Sequence, residues 1–493
     1  MTLTFIEEKN LYENCIKEEI ARGLDSEVQN QIAAAPSELQ RSMLLTVLEE
    51  NNPEHRLMCS KIRKLVETKN LYSAKHIKNI VKMLREYVEV SDTEVKTMGE
   101  VMTPTFLVEE MLDTLPYEVW TNPDLKWLDP CNGVGIFPAV VVERLMKGLT
   151  DYEPNEELRY KHILENMLYI TELQAKNMFL FLYAFDPEDK FALNVYQGSY
   201  LDKGFDNHMK FWGIEKFDVI VMNPPYQVLK EGNRKSQALW NKFVLKTVNQ
   251  LVEAGYLVAV HPDGWRSASG QFKNVQTILK SKQLMYLEMH NVKEGIKTFG
   301  AETSYDFYCL HNVPNTMFTK IKCQDGTIER ADLSKMEFIP NGMFKTFENL
   351  IAKDGEERVE ILYSRSTYGT DKVNMSKEKT EEYQHPCVYY TYVDYSLRLM
   401  YSNTNQKGHF GTPKVIWSEG RSSMPIIDND GEYGLTQFAY AIVNDIKNLP
   451  FIQKAMLHPN FLKLMSFTNG SGQKYNRKAI SLFRKDFWKD YQY

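Results

Sequence analysis

An asparagine, two prolines and a tyrosine, Asn223-Pro224-Pro225-Tyr226, close the apolar run Phe217-Asp218-Val219-Ile220-Val221-Met222. Together these residue types suit chemistry on an exocyclic amine. The run reads as a parallel strand buried on both faces, and the prolines stop it because neither donates to a strand ladder. Ligands of open α/β sheets bind just past such strand ends. There the Asn223 side chain offers one carbonyl acceptor and the Pro224 peptide carbonyl a second, with no competing N–H at Pro225. Two acceptors can hold both hydrogens of an NH2 group and free its lone pair for attack, while the Tyr226 ring gives a planar base a surface to stack on. Asn, Pro and Tyr are also common in plain loops, so the motif needs context.

That context lies upstream. Asp129-Pro130-Cys131-Asn132-Gly133-Val134-Gly135-Ile136-Phe137 follows the apolar strand end Lys126-Trp127-Leu128 and precedes Ala139-Val140-Val141-Val142-Glu143-Arg144-Leu145, which reads as a helix. Glycines let backbone approach a ligand, and a helix amino end faces polar groups well. A second acid, Glu172, ends the apolar run Met167-Leu168-Tyr169-Ile170, ahead of an amphipathic helix starting at Ala175. A carboxylate at the end of the second strand can accept from ribose hydroxyls; a helix-capping Glu is the plain alternative. The order matters more than any single residue: glycine turn, acid, then Asn-Pro-Pro-Tyr.

In that order the chain resembles the S-adenosylmethionine-dependent adenine-N6 DNA methyltransferases of the restriction-modification type, whose target-recognition region is C-terminal. Gly99-Glu100-Val101-Met102-Thr103-Pro104-Thr105-Phe106-Leu107-Val108 looks like the family's opening motif. The resemblance implies that Thr103, Pro104 and Phe106 lie against the cofactor's methionine end, and that Asp129, Pro130, Gly133, Gly135 and Phe137 form the cofactor loop. Glu172 falls at the ribose-binding acid, and Asn223, Pro224, Pro225 and Tyr226 at the catalytic motif. The family also has a Gly-Asp-Phe-Leu-like segment, with its Asp on the cofactor's adenine amine. Here Gln197-Gly198-Ser199-Tyr200-Leu201-Asp202 puts Ser199 at that place, followed by Tyr200. A hydroxyl still accepts a hydrogen bond, and Asp202 reads as a loop residue rather than a replacement. The implied activity is direct methyl transfer to adenine N6 in a specific double-stranded DNA sequence. A second aromatic is expected to sandwich the extruded base from the 305 to 308 region, with Tyr305 and Phe307 both open. The partners implied are double-stranded DNA and, optionally, a separate restriction endonuclease. Methylation of an amine in RNA or protein, and a non-catalytic DNA-binding module on the same fold, are the rival readings.

Composition fits an intracellular, cytoplasmic enzyme. The chain has 493 residues, enough for several domains, and 43% apolar residues. Its apolar runs are short of a membrane span, and Thr4-Phe5-Ile6 meets Glu7, Glu8 and Lys9 at once, unlike a leader. The six cysteines are scattered without Cys-x-x-Cys spacing, so neither zinc nor disulfides are expected. Cys131 reads as a small packing residue, since no activating His neighbours it in sequence. Net charge is −6, yet residues 335 to 493 hold 21 Lys+Arg against 18 Asp+Glu. The last twenty contain Lys474, Arg477, Lys478, Arg484, Lys485 and Lys489 against Asp486 and Asp490. That stretch reads equally as a tail following phosphates or as the exposed face of a terminal helix.

The expected architecture is α/β, a doubly wound Rossmann-like methyltransferase sheet, with three parts: a helical segment over 1–95, the methyltransferase domain over 96–325, and a mixed α+β target-recognition domain over 326–493. Strands and helices alternate in the middle part: 240 to 253 is amphipathic, Tyr256-Leu257-Val258-Ala259-Val260 reads as a buried strand, and Thr303 to Leu310 as a later one. After about 330, turns separate aromatic strands such as Val388 to Val393 and Lys414 to Trp417. The polar loop 230–236 and the turn Asn469-Gly470-Ser471-Gly472 read as solvated loops; the latter lacks the Lys-Ser/Thr of a P-loop.

Overall fold

A computed structural model of the chain describes residues 102–186, 190–229, 236–267, 270–364, 374–469 and 473–492. The expectations for 1–95, for most of the 230–236 loop and for Gly470 to Gly472 lie outside the described residues. The described residues fall into two compact units. One ends at Ile321; the other begins at Lys322 and also takes Arg266 and Ser267.

In the first unit, β1 (Trp127–Asp129), β2 (Leu168–Glu172), β3 (Asn194–Gln197) and β4 (Phe217–Met222) precede a hairpin, β5 (Gln227–Leu229) and β6 (Ser236–Ala238). They are followed by β7 (Leu251–Pro262), β8 (Lys282–His290), β9 (Tyr305–Pro314) and β10 (Thr319–Lys322). Across the main sheet the order is β10-β8-β9-β7-β4-β1-β2-β3. β1 pairs in parallel with both β2 and β4, β2 with β3 and β4 with β7, while β9 runs antiparallel between β7 and β8. The chain therefore winds one way from β1 to β3 and the other way from β4 onward. The crevice between the ends of β1 and β4 is the topological switch point of such a sheet.

Both faces are covered, as the uninterrupted apolar runs of β4 and β7 require. Val219, Val221, Val258, Val260, Phe307 and Cys309 join one core with the helices α1 (Thr105–Leu112), α2 (Ile136–Gly148) and α3 (Ala175–Phe185). Their neighbours Ile220, Met222, Leu257, Ala259, Tyr308 and Leu310 are fully buried yet outside that cluster, so they point to the opposite face. The expected amphipathic stretch is α4 (Trp240–Gln250), which buries Trp240, Phe243, Val244 and Val248. A further helix, α5 (Val292–Phe299), has Asn291 and Glu294 in a reciprocal capping box.

The second unit contains β11 (Ile328–Ala331) and two four-stranded sheets. One orders β12 (Glu360–Tyr363), β19 (Ala439–Val443), β16 (Lys414–Ser418) and β17 (Ile426–Asp428). The other orders β13 (Met375–Ser376), β15 (Leu397–Ser402), β14 (His385–Thr391) and β18 (Gly434–Leu435). The basic C-terminal stretch is neither an extended tail nor one surface helix: Phe483, Phe487, Trp488 and Tyr491 are buried in the core beside Trp417 and Ile452. Arg484 pairs with Asp486 and Asp490, Lys485 with Glu357 and Lys489 with Asp486.

Candidate active site

Asp129 ends β1, 1% exposed. Its Oδ1 accepts from the Cys131 amide at 3.1 Å, while Oδ2 is buried without a hydrogen-bond partner among the described residues. Burial pushes the carboxyl up to about 7, against the pull of the Cys131 amide. The Cys131 thiol is itself raised well above its ordinary value by burial and by the carboxylates of Asp129 and Glu172. A nucleophilic thiol needs the opposite shift.

The glycine turn is tied to β2 from both sides. The Asn132 amide donates to the Thr171 carbonyl at 3.0 Å. Glu172, buried at the end of β2, takes the Gly133 amide on Oε2 and the Gln174 amide on Oε1, each at 2.7 Å. Gly135 starts α2 with φ +95°, and a Cβ there would come within 2.8 Å of the Phe181 ring. Both facts demand glycine.

Past β4, the Asn223 Nδ2 donates to Thr103 Oγ1 at 2.9 Å. This bond orients the carboxamide, with its donor side towards Thr103 and Oδ1 as its acceptor. The Tyr226 carbonyl accepts from the Leu239 amide, which fastens the turn to the approach of α4. The Tyr226 ring is buried edge-on against Phe299, centroids 6.1 Å apart. Its hydroxyl is buried without a hydrogen-bond partner among the described residues, and its pKa is raised by burial and by Tyr305.

These segments converge on a cavity of about 640 Å³. Of the residues singled out in the sequence, Thr103, Pro130, Gly133, Phe137, Glu172, Ser199, Tyr200, Asn223 and Pro225 line it. Asp129, Gly135, Pro224 and Tyr226 do not; Asp129 and Gly135 act on its walls from beneath. Pro104 and Phe106 do not line it either. Pro104 is buried as the N-cap of α1, its carbonyl accepting from the Leu107 and Val108 amides, and Phe106 is 52% exposed. Tyr200 lines the cavity and is also anchored behind it. Its ring stacks on Phe243 and its hydroxyl donates to Gln250 Oε1 at 2.5 Å, beside Thr247.

Asp202, a loop residue by its sequence setting, lines the cavity beside Ser199 and does not cap the helix it precedes. Asn177, Leu239, Lys242 and Phe243 also line it, and no motif points to them; the amphipathic period of α4 marks Phe243 as inward, but nothing local distinguishes a core from a cavity wall. Around Tyr226, the two aromatics that the sequence offers for the far side of the base, Tyr305 and Phe307, are both engaged with other side chains. Tyr305 stacks on His290 and meets Thr298 through its hydroxyl, Phe307 lies in the core, and Phe299 is the ring that touches Tyr226.

Residues 144–294 match the Eco57I restriction-modification methylase family model. An uncharacterized adenine-specific methylase of Mycoplasma pneumoniae is 29% identical, over 37% of this chain and 60% of that protein. The chain thus spans about three fifths of the length of this curated relative. Among solved structures, the type IIL restriction-modification enzyme MmeI in complex with DNA superposes with a TM-score of 0.51 at 10% identity, covering 83% of this chain and 70% of that one. The likeness to MmeI is one of fold. The segment matched by the family model includes the Asn223 turn, Glu172 and Ser199.

Proposed function

We propose that this chain is a site-specific DNA methyltransferase that transfers a methyl group from S-adenosylmethionine to the N6 amine of adenine in double-stranded DNA. It would act in the cytoplasm as the modification activity of a restriction-modification system, with a separate endonuclease as its counterpart. The single observation that carries this is the Asn223 carboxamide, held by Thr103 on the wall of a cavity that Glu172 and the glycine turn also line.

The residues present fit the cofactor. A 640 Å³ cavity is large enough for a nucleoside with an amino-acid arm. Glu172 suits ribose hydroxyls, and Ile136, Leu239 and Phe243 give apolar walls for an adenine ring. Ser199 and Asp202 offer acceptors for its amine, and the orphaned Oδ2 of Asp129 lies under the loop assigned to the methionine end. When bound, S-adenosylmethionine supplies an electrophilic methyl group. Asn223 Oδ1 and the Pro224 carbonyl would accept from the two amine hydrogens of adenine, biasing the nitrogen towards tetrahedral geometry. That interaction strengthens as the transition state forms. Thr103 keeps the carboxamide from rotating. No nucleophilic side chain is needed, because orientation supplies much of the acceleration. The relative's adenine-specific name favours adenine N6 over other amines.

The test is incubation of the protein with S-adenosylmethionine and a duplex DNA pool, followed by hydrolysis and nucleoside analysis. N6-methyladenine is the expected product. Methylated cytosine alone, or labelling of RNA or protein but not of duplex DNA, would overturn the assignment.

A further inference from the structure

The second unit holds a cleft of about 700 Å³ that no part of the reaction uses, lined among others by Tyr363, Glu419, Gln437, Tyr440 and Arg477. Of the cations near the C-terminus, Arg484, Lys485 and Lys489 are neutralised by carboxylates. Arg477 has no ion pair among the described residues. Its guanidinium lies 4.3 Å from the Tyr363 ring centroid and 5.5 Å from that of Tyr440. A guanidinium held on aromatic faces stays planar and presents its donors as a fixed fork. Glu419 is fixed in the same cleft, where it accepts from the Tyr440 hydroxyl.

Lys478 lines the cleft beside Arg477, so charge alone would admit a phosphate; the Glu419 carboxylate is an acceptor that a phosphate cannot satisfy. A base pair can. In the major groove a G·C pair offers two acceptors on guanine, O6 and N7, beside one donor on cytosine, the N4 amine. A cleft with a rigid guanidinium fork, a carboxylate and the Gln437 carboxamide carries the complementary set. Tyr363 is 42% exposed, so this wall faces solvent where a groove edge could reach it.

We propose that this cleft reads one G·C pair of the target duplex, Arg477 donating to guanine O6 and N7 and Glu419 accepting from cytosine N4. The proposal rests on the reading that the chain methylates duplex DNA. Its test is to let the full-length parent, Arg477→Ala, Arg477→Lys and Glu419→Gln each methylate a pool of randomised duplexes, and to sequence the methylated products. Arg477→Ala should relax preference at one G·C position by about 10- to 100-fold, with preferences elsewhere and affinity for S-adenosylmethionine unchanged. Arg477→Lys, which keeps charge and ring contact without the fork, should lose part of that discrimination even if the alanine variant folds poorly. Glu419→Gln should weaken preference at the same position. A uniform loss of affinity with unchanged preferences, and a salt slope reduced by about 1, would make Arg477 a phosphate contact and overturn the proposal; so would unchanged selectivity in all three variants. A parent that methylates no duplex overturns the reading of function itself, and the cleft assignment falls with it.

Discussion

The cavity of the first unit and the cleft of the second are assembled by different rules. In the first, the polar groups sit at the ends of β1, β2 and β4, brought together by a winding order that places any ligand at the switch point. Much of its geometry is backbone: the amides of Cys131, Gly133 and Gln174 fix Asp129 and Glu172. In the second, the ladder of β12, β19 and β16 sets Tyr363 opposite Tyr440 and ties the Glu419 amide to the Phe438 carbonyl, Arg477 comes from farther along the chain, and the groups singled out in the cleft are all side chains. A site set by topology resists change without loss of the fold. One set by side chains can be altered position by position. On this contrast, damage to the first should stop the reaction for every substrate, and damage to the second should alter which substrate is chosen.

The largest effect separates the two directly. Asn223→Ala should lower methyl transfer to all duplexes by about 10²- to 10³-fold, the range for removing one preorganised transition-state partner, with calorimetric affinity for S-adenosylmethionine retained. Transfer at the parent rate would mean that the cavity is not where the amine is held.

Next, the dryness of the strand end can be read by titration. Asp129 stands near 3.8 when unfolded and about 7 when folded, so its folded form holds a proton the unfolded chain has lost. Its contribution to stability is complete below about pH 4 and is lost as pH rises through 7. Chemical denaturation of the ligand-free protein should show Asp129→Asn gaining on the parent across this window, by at most about 4 kcal/mol. Parallel curves would show a hydrated carboxyl.

A smaller effect belongs to Thr103. Thr103→Val removes the acceptor for Asn223 Nδ2 and should cost up to about tenfold in kcat, as expected of one hydrogen bond, with KM for DNA little changed. Thr103→Ser should restore the rate. If Val and Ser behave alike, the hydroxyl does not position the carboxamide. The smallest change is Tyr226→Phe. It removes a buried hydroxyl without a hydrogen-bond partner, so stability should stay level or rise by roughly 1 kcal/mol in thermal melts, with transfer largely kept.

The same contrast explains which parts of the molecule are legible in its amino-acid sequence. Continuous apolar runs such as 217–222 and 256–260 announce a parallel sheet, and the spacing of Asp129, Glu172 and Asn223 follows from its winding. Phe299 is not legible, because its partner Tyr226 lies 73 positions away in sequence and α5 carries no aromatic pattern of its own. Asp202 hides for a different reason: outside any motif an acid reads as a loop residue, and only the fold brings it to the cavity beside Ser199. The basic C-terminal stretch misleads in the opposite sense. Its charges are plain in the sequence, but the carboxylates that neutralise them include Glu357, far upstream. Only their positions in the fold tell Arg477 from Arg484.

The edge-on contact between Tyr226 and Phe299 bears on how a base would enter. If Tyr226 is the surface on which the base stacks, as proposed, that surface is buried edge-on against Phe299. Entry is then an exchange of one partner for another, in which the arriving base must outcompete a contact of about 0.5–1.5 kcal/mol. Fleeting, poorly stacked visitors gain little from such a swap, so a placeholder ring acts as a threshold on residence as well as a support.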